Sequence, residues 1–438
     1  MLRFGTDGVR GVALTELTTE YVTALGIAAA RVLGNATWLI GRDTRESGPV
    51  LLDALVRGLR AEGASVIDCG VLPTPGLARC STWHAAPAAM ITASHNPYAD
   101  NGVKIFAPGG LKLTDEVEQR IETELERALA EGSSTEQAVC VDGGGELARY
   151  VDEITGLFPP GMLTGLRVVL DCANGAMSEA APAVVRALGA DVTVINATPD
   201  GTNINARCGA THPAAVGAVV VEQQADAGLA FDGDGDRLIA VDHTGRVVDG
   251  DRLIALGALQ LRSEGALTAN TVVVTVMSNL GFHHAMRDAG ITVVTTAVGD
   301  RYVLEALDAD DLAIGGEQSG HIIYRHVATT GDGLLAGLKV LQRVQESGAA
   351  LGELAGAVMT TYPQVLTNVA LAARHPRIAD ELAEEIAAAE QQLGDDGRVL
   401  VRASGTEPLV RVMVEAATDA TAAEIAGRLA DVVRTRFG

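Results

Sequence analysis

Aromatic side chains make up only 3% of this 438-residue chain. Its interior must therefore be built from aliphatic residues, and at 47% hydrophobic it carries too many of them for a disordered chain. Cysteine is also scarce. The five present (Cys69, Cys80, Cys140, Cys172, Cys208) are odd in number and form no C-x-x-C pair, which argues against a disulfide framework or a zinc site and for a reducing cytoplasm. Long apolar runs are missing: the longest uncharged stretches, around residues 80–99 and 354–373, contain Pro, Asn, Gln or His, so no membrane span is expected. The opening Met1-Leu-Arg-Phe-Gly-Thr-Asp-Gly8 lacks the apolar core of a signal peptide. Basic residues are few, with 33 Lys and Arg against 56 Asp and Glu, a net charge of −23. Such a surface repels phosphate backbones and anionic lipid, so neither nucleic acid nor membrane is an expected partner. An anionic ligand would need a local cluster of Arg, Lys or metal.

At about 150 residues per domain the length suggests three or four domains. Three segments repeat one pattern, a buried-strand run, a helix of small residues, then Gly before a second strand. They are Trp38-Leu-Ile-Gly-Arg-Asp43 through Gly63-Ala-Ser-Val-Ile-Asp68; Arg167-Val-Val-Leu-Asp171 through Gly189-Ala-Asp-Val-Thr-Val-Ile195; and Thr271-Val-Val-Val-Thr-Val276 through Gly290-Ile-Thr-Val-Val294. Each is about the size of a βαβ unit, and unbroken Val/Ile/Leu strands suit parallel pairing under helices on both faces. The tail differs: an acidic amphipathic helix over 376–393, strands at 398–402 and 409–415, and a closing helix over 419–437 capped by Thr418 or Asp419. This predicts α/β domains at 1–155, 156–254 and 255–365 and a smaller α+β domain at 366–438, with a hinge at 361–366.

Five polar, Gly-rich segments interrupt the aliphatic pattern. Thr92-Ala-Ser94-His95-Asn96-Pro97 reads either as a turn or as a nucleophilic serine near His95 and Lys104. Asp232-Gly-Asp234-Gly-Asp236-Arg237 follows a strand and crowds three carboxylates, which is costly unless a cation joins them. It is no EF-hand, because the sixth position is Arg237 and the twelfth His243; hard oxygen ligands favour Mg²⁺ with a phosphate oxygen. Gly315-Gly-Glu317-Gln318-Ser319-Gly320-His321 is either a plain turn or a reader of a polyhydroxylated or amine ligand. Arg402-Ala-Ser404-Gly405-Thr406-Glu407-Pro408-Leu409-Val410-Arg411 is either an exposed hairpin or a phosphate grip, and no Walker P-loop occurs anywhere. Phe4–Gly11 alone is a Gly-rich turn with one cation, Arg10.

Together and in order, these segments resemble the α-D-phosphohexomutase family over essentially the whole chain. The likeness is closest to the branch acting on phosphoglucosamine, through Gln318 between Glu317 and Ser319, Asn203-Ile-Asn205 with Cys208–Pro213, Met277-Ser-Asn-Leu-Gly281 and Val298-Gly-Asp-Arg-Tyr302. The resemblance implies three tandem α/β domains with mixed sheets covered by helices, plus the smaller α+β domain, around a central cleft. It implies that Ser94 is a phosphoserine and that one Mg²⁺ per chain is held by Asp232, Asp234, Asp236 and a phosphoryl oxygen on Ser94, with Arg237 nearby. The implied activity is an isomerase reaction, glucosamine 6-phosphate to glucosamine 1-phosphate through a 1,6-bisphosphate, feeding UDP-N-acetylglucosamine synthesis. Glu317, Ser319 and His321 would read the sugar; Arg402, Ser404, Gly405, Thr406 and Arg411 would hold the other phosphate. Lys104, His95 and Arg10 are unranked candidates for proton handling. The expected partner is a small sugar phosphate, with homodimerisation left open. Two rivals stand: a mutase of the same family acting on glucose or mannose phosphates, and a metal-dependent phosphomonoesterase using the same serine.

Overall fold

A computed structural model describes residues 2–5, 8–34, 37–132, 137–404 and 408–438. All three repeats become parallel strand pairs: Thr37–Arg42 with Ser65–Val71, Arg167–Asp171 with Asp191–Ile195, and Thr271–Thr275 with Thr292–Thr296. Each pair belongs to a larger mixed sheet. The first sheet has seven strands and runs Val9–Val12, Asp100–Ala107, Ala88–Ile91, Thr37–Arg42, Ser65–Val71, Val141–Asp142, with Leu111–Lys112 paired to the second of these. The second has five strands, with Ala227–Phe231 beside Arg167–Asp171 and turning back antiparallel into Leu238–Asp242. The third has four strands, and Ile314–Gly316 returns as Ile322–Tyr324.

Aliphatic packing carries the core, as the shortage of aromatics requires. Around the first sheet, Val22, Leu25, Ile40, Leu51, Leu55 and Ile91 are at most 1% exposed, with Trp38 the one large aromatic among them. Each such side chain contributes about 1.5–3 kcal/mol on burial. Among the described residues no helix is long and apolar enough to cross a membrane.

The chain divides into two compact units, residues 1–277 with 290–358, and residues 278–289 with 359–438. The helix Leu280–Asp288, which links the third parallel pair, thus belongs to the C-terminal unit. The reason is local: Asn279 Nδ2 donates to Tyr362 O at 2.9 Å and Glu415 Oε1 at 3.2 Å, and Leu280 N donates to Glu415 Oε2 at 3.1 Å. In that unit Gln364–Ala370, Leu409–Ala416 and Gly397–Ala403 form an antiparallel sheet. Helix Asp419–Phe437 packs on it, and Thr418 accepts from Thr421 N at its start.

Two expectations change here. The helix expected over 376–393 is two, Ile378–Glu381 and Ala383–Leu393, broken where Leu382 turns fully into the core. The segment expected as a hinge already pairs as strand from Gln364, because Val365 and Val369 alternate inward against the small core of this unit.

Candidate active site

Ser94 follows the central strand Ala88–Ile91 and has φ of +51°, a left-handed conformation that costs a non-glycine residue about 1–2 kcal/mol. The neighbouring chain holds it there. Ser94 N donates to Thr92 Oγ1 at 2.9 Å, and that hydroxyl donates to Asp43 Oδ2 at 2.7 Å. Arg45 is 1% exposed; its Nε donates to Asp43 Oδ2 at 2.9 Å, and its guanidinium also donates to the carbonyls of Ser94, Asn96, Pro97 and Asp100. Burial raises the Asp43 carboxyl, against the pull of Arg45. In this conformation Ser94 Oγ donates to Asp232 Oδ2 at 2.6 Å.

The three aspartates sit on the turn between Ala227–Phe231 and Leu238–Asp242, at most 3% exposed, with one ligand atom of each within 4.8 Å of the others. Lys104, on the strand paired with Ala88–Ile91, donates to Asp234 Oδ2 at 2.8 Å and Asp236 Oδ2 at 2.9 Å. Thr74 Oγ1 donates to Asp234 Oδ2 at 2.7 Å. Arg237 N donates to Asp232 Oδ1 at 3.1 Å. Two buried oxygens, Asp234 Oδ1 and Asp236 Oδ1, have no hydrogen-bond partner among the described residues. Leaving buried acceptors unmade costs about 1–3 kcal/mol each, more when charged, and a cation ligated by oxygen would satisfy both. Burial and the charges of Asp236 and Asp234 push the Asp232 carboxyl well above its usual range. Asp236 is held well below it, because Lys104, His321 and Arg237 outweigh its burial. The trio therefore fits a divalent metal ion.

Beside the aspartates lies a cavity of about 420 Å³, within the usual range for small-molecule sites. Arg3, Arg10 and Arg237 line it together with Asp300, Glu317 and His321. Glu317 Oε1 accepts from Gly299 N at 3.2 Å. His321, 2% exposed, lies 3.6 Å from Asp236 Oδ1 and 3.6 Å from Asp300 Oδ2, while Ser319 is exposed on the turn. Lys112 pairs with Asp300 from the first sheet. His95 Nδ1 is 3.3 Å from Ser94 Oγ and 3.0 Å from Arg237 Nη1. Arginine can only donate, so this nitrogen accepts. Burial, Arg237 and Arg10 push the imidazole down to about 4.

The remaining expected residues lie in the C-terminal unit. Arg402 and Arg411 stand directly opposite each other on antiparallel strands, an arrangement that sets two like charges side by side. Burial and the Arg411 charge push the Arg402 guanidinium down. Ser404 is buried, its N donating to Leu409 O at 2.8 Å. Gly405 and Thr406 lie outside the described residues.

Thus Ser94, His95, Lys104, Asp232, Asp234, Asp236 and Arg237 converge on one point, and Arg10, Glu317 and His321 line the cavity next to it. Asp43, Arg45, Thr74, Arg3 and Asp300 were not anticipated. The signal for the first two was present: charged residues placed immediately after an apolar parallel strand, where α/β folds put their sites.

The chain that sets a buried serine against this aspartate turn, beside a cationic cavity, is similar in sequence and fold to known proteins. The four domain models of phosphoglucomutase/phosphomannomutase match in order: domain I at residues 1–131, II at 148–245, III at 249–362, and the C-terminal domain at 366–432. The chain belongs to this family of α-D-phosphohexomutases. Among curated relatives it is 52% identical to a phosphoglucosamine mutase of Frankia alni and 50% identical to one of Mycolicibacterium smegmatis, each over 98% of both chains. A phosphoglucomutase/phosphomannomutase family protein of Burkholderia thailandensis shares the fold at a TM-score of 0.82 and 24% identity, over 98% of this chain and 97% of the other. The N-acetylphosphoglucosamine mutase of Aspergillus fumigatus, solved with GlcNAc-6P and magnesium, shares it at 0.71 and 20%, over 100% of this chain and 96% of the other.

Proposed function

We propose that this chain interconverts glucosamine 6-phosphate and glucosamine 1-phosphate, with Ser94 as the phosphoryl carrier. The observation that carries this reading is the 2.6 Å contact of Ser94 Oγ with a buried aspartate trio, two of whose oxygens have no partner among the described residues, beside a cavity of sugar size. The choice of an amino sugar rests on the roughly half-identical relatives named for that substrate.

In the forward direction, O1 of the sugar attacks the phosphorus on Ser94. The O1–P bond forms as the P–Oγ bond breaks; O1 gives its proton to a base and Ser94 Oγ takes one up as it leaves, with Lys104, His95 and Arg10 the candidates for these transfers and His95 Nδ1 3.3 Å from the leaving Oγ. The 1,6-bisphosphate then turns round. Ser94 Oγ gives up its proton as it takes the phosphoryl group from O6, O6 gains a proton as its bond to phosphorus breaks, and glucosamine 1-phosphate leaves. One Mg²⁺ held by Asp232, Asp234, Asp236 and a phosphoryl oxygen would neutralise charge on the transferring group. Lys104, already bound to two of these carboxylates, contributes positive charge, and Arg237 and Arg10 face the cavity as further cations. Glu317 accepts from sugar hydroxyls or the amine, with Ser319 and His321 supporting that loop. Arg402, Ser404, Gly405, Thr406 and Arg411 bind the phosphate that is not in transit. Each of the four domains, at 1–155, 156–254, 255–365 and 366–438, supplies one of these loops.

The test is a comparison of glucosamine, glucose and mannose 6-phosphates on enzyme whose intact mass is measured before and after phosphatase treatment. The expected result is isomerisation, fastest for the amino sugar, stimulated by a hexose 1,6-bisphosphate and confined to the phosphorylated form. Release of inorganic phosphate in step with substrate loss, or preference for a neutral hexose, would overturn the reading.

A further inference from the structure

The Ser94 loop is gripped twice, and the second grip comes from the part of the chain that carries the aspartates. Asn205 is 8% exposed and itself left-handed at φ +56°. Its Nδ2 donates to Ser94 O at 2.8 Å and to Asn96 O at 3.1 Å. These are the same two carbonyls that Arg45 Nη2 meets at 3.0 and 2.8 Å. A carboxamide nitrogen has two protons, so both are committed, and a flipped amide would set Oδ1 against two carbonyl oxygens.

Asn205 is in turn fixed to the second sheet's loops, its N donating to Ala173 O at 2.9 Å. The backbone there is unusual: Ala173, Asn174, Asn205 and Arg207 all have φ between 49° and 56°. Such a run of left-handed non-glycine residues costs free energy and persists only where surrounding contacts impose it. The aspartate turn packs directly on the same carbonyl, since a Cβ built on Gly233 would stand 2.6 Å from Ser94 O and 2.8 Å from Asn205 Nδ2. Arg45 alone could shape the serine loop, but it emerges from the same sheet as Ser94. Beside the direct contacts of Ser94 with Asp232 and of His95 with Arg237, Asn205 ties the backbone of that loop to the second sheet's loops, against the aspartate turn.

We propose that Asn205 is a positioning residue for phosphoryl transfer: its carboxamide sets the register of Ser94 against the aspartate turn without touching the substrate. The inference rests on the reading of Ser94 as phosphoryl carrier. A displacement of about 1 Å at a reacting group can cost on the order of 10²-fold in rate, and the sugar's own contacts are unchanged.

Two full-length variants test this. Asn205→Gly keeps the left-handed backbone and deletes the amide; Asn205→Asp keeps the shape and turns an acceptor toward two acceptors. In folded protein, kcat for glucosamine 6-phosphate should fall by about 10–100-fold in both, with KM within about twofold of the unsubstituted enzyme. Amides of residues 94–96, two of which bond within the loop at Ser94 N and Asn96 N, should exchange with solvent about tenfold faster or more. Retained kcat in a folded variant, or a loss carried by KM, overturns the assignment. Should the Gly variant fail to fold, the Asp variant carries the same readouts, and failure of both marks Asn205 as purely structural. If the unsubstituted protein transfers no phosphoryl group, the Ser94 reading has failed instead, and the grip is judged by loop exchange alone, where unchanged exchange would sink it.

Discussion

Substituting Gly233 by alanine asks whether the distance between the serine and the aspartates matters, using one methyl group. Gly233 is not in the left-handed region, so alanine there pays no backbone penalty and its effect is steric. The new Cβ would stand 2.6 Å from Ser94 O, whereas ordinary van der Waals contact begins at 3.4 Å. One side must therefore give by about 0.8 Å at Ser94 O, a backbone atom on a loop already fixed by Arg45, with the side chains of Asn205 and Ile204 each 2.8 Å from the same Cβ. The expected stability loss is about 1–3 kcal/mol. The expected fall in kcat is on the order of 10²-fold, equivalent to about 2.7 kcal/mol of barrier. Gly235→Ala provides the contrast. Gly235 has φ +74° and the three atoms nearest its Cβ would all belong to the flexible side chain of Met177, so it should lose about 1 kcal/mol of stability with a smaller change in rate. The measurement is kcat for glucosamine 6-phosphate beside a thermal melt for each variant. A folded Gly233→Ala enzyme within about threefold of the unsubstituted rate would refute the premise that Ser94 must meet the trio at close range.

Ser94→Ala should abolish isomerisation, by 10³-fold or more on the order-of-magnitude scale of a lost nucleophile, while circular dichroism and sugar-phosphate binding persist; substantial turnover would end the covalent reading. Added Mg²⁺ should raise the melting temperature of the unsubstituted protein, and Asp234→Asn should remove both that shift and activity; a shift retained in the variant would place the ion elsewhere. Arg411→Ala should raise KM by about tenfold or more, from loss of a charge-assisted phosphate contact. Its melting temperature should hold or rise, because Arg402 loses a like-charged neighbour across the strand pair; an unchanged KM would count against the phosphate grip.

Much of this was legible in the sequence because local pattern and chemistry coincide there. Continuous apolar runs ending in Gly locate the parallel pairs, and the spacing of Asp232, Asp234 and Asp236 signals a cation without reference to anything distant. What stayed hidden depends on contacts between residues far apart in the chain. Arg45 reads as an ordinary loop arginine until the fold brings residues 94–100 against it. Asp300 and Lys112 meet across 188 positions, so neither segment announces the pair. Leu382 sits within an amphipathic pattern that predicts one continuous helix, yet burying that side chain in the small core outweighs helix continuity. His321 reads from its loop as a sugar ligand, but its position between Asp236 and Asp300 ties it at least as closely to the aspartate turn.

The charge balance explains why so acidic a chain can still serve an anionic substrate. Three carboxylates within 4.8 Å of one another repel by about 3.5 kcal/mol per pair at an effective dielectric of about 20. Lys104 offsets one of these charges. Burial and the charges of Asp236 and Asp234 push the Asp232 carboxyl upward, the direction in which this repulsion acts. A divalent cation held there would bring the three carboxylates and Lys104 to formal neutrality and would compensate part of the charge of a phosphoryl group it touches, the rest needing further cations. That task falls to Arg237, Arg10 and Arg3, the cations that line the cavity. The net charge of −23 is a property of the whole surface, whereas the sign that a ligand meets is set within a few ångströms by these side chains and the bound ion.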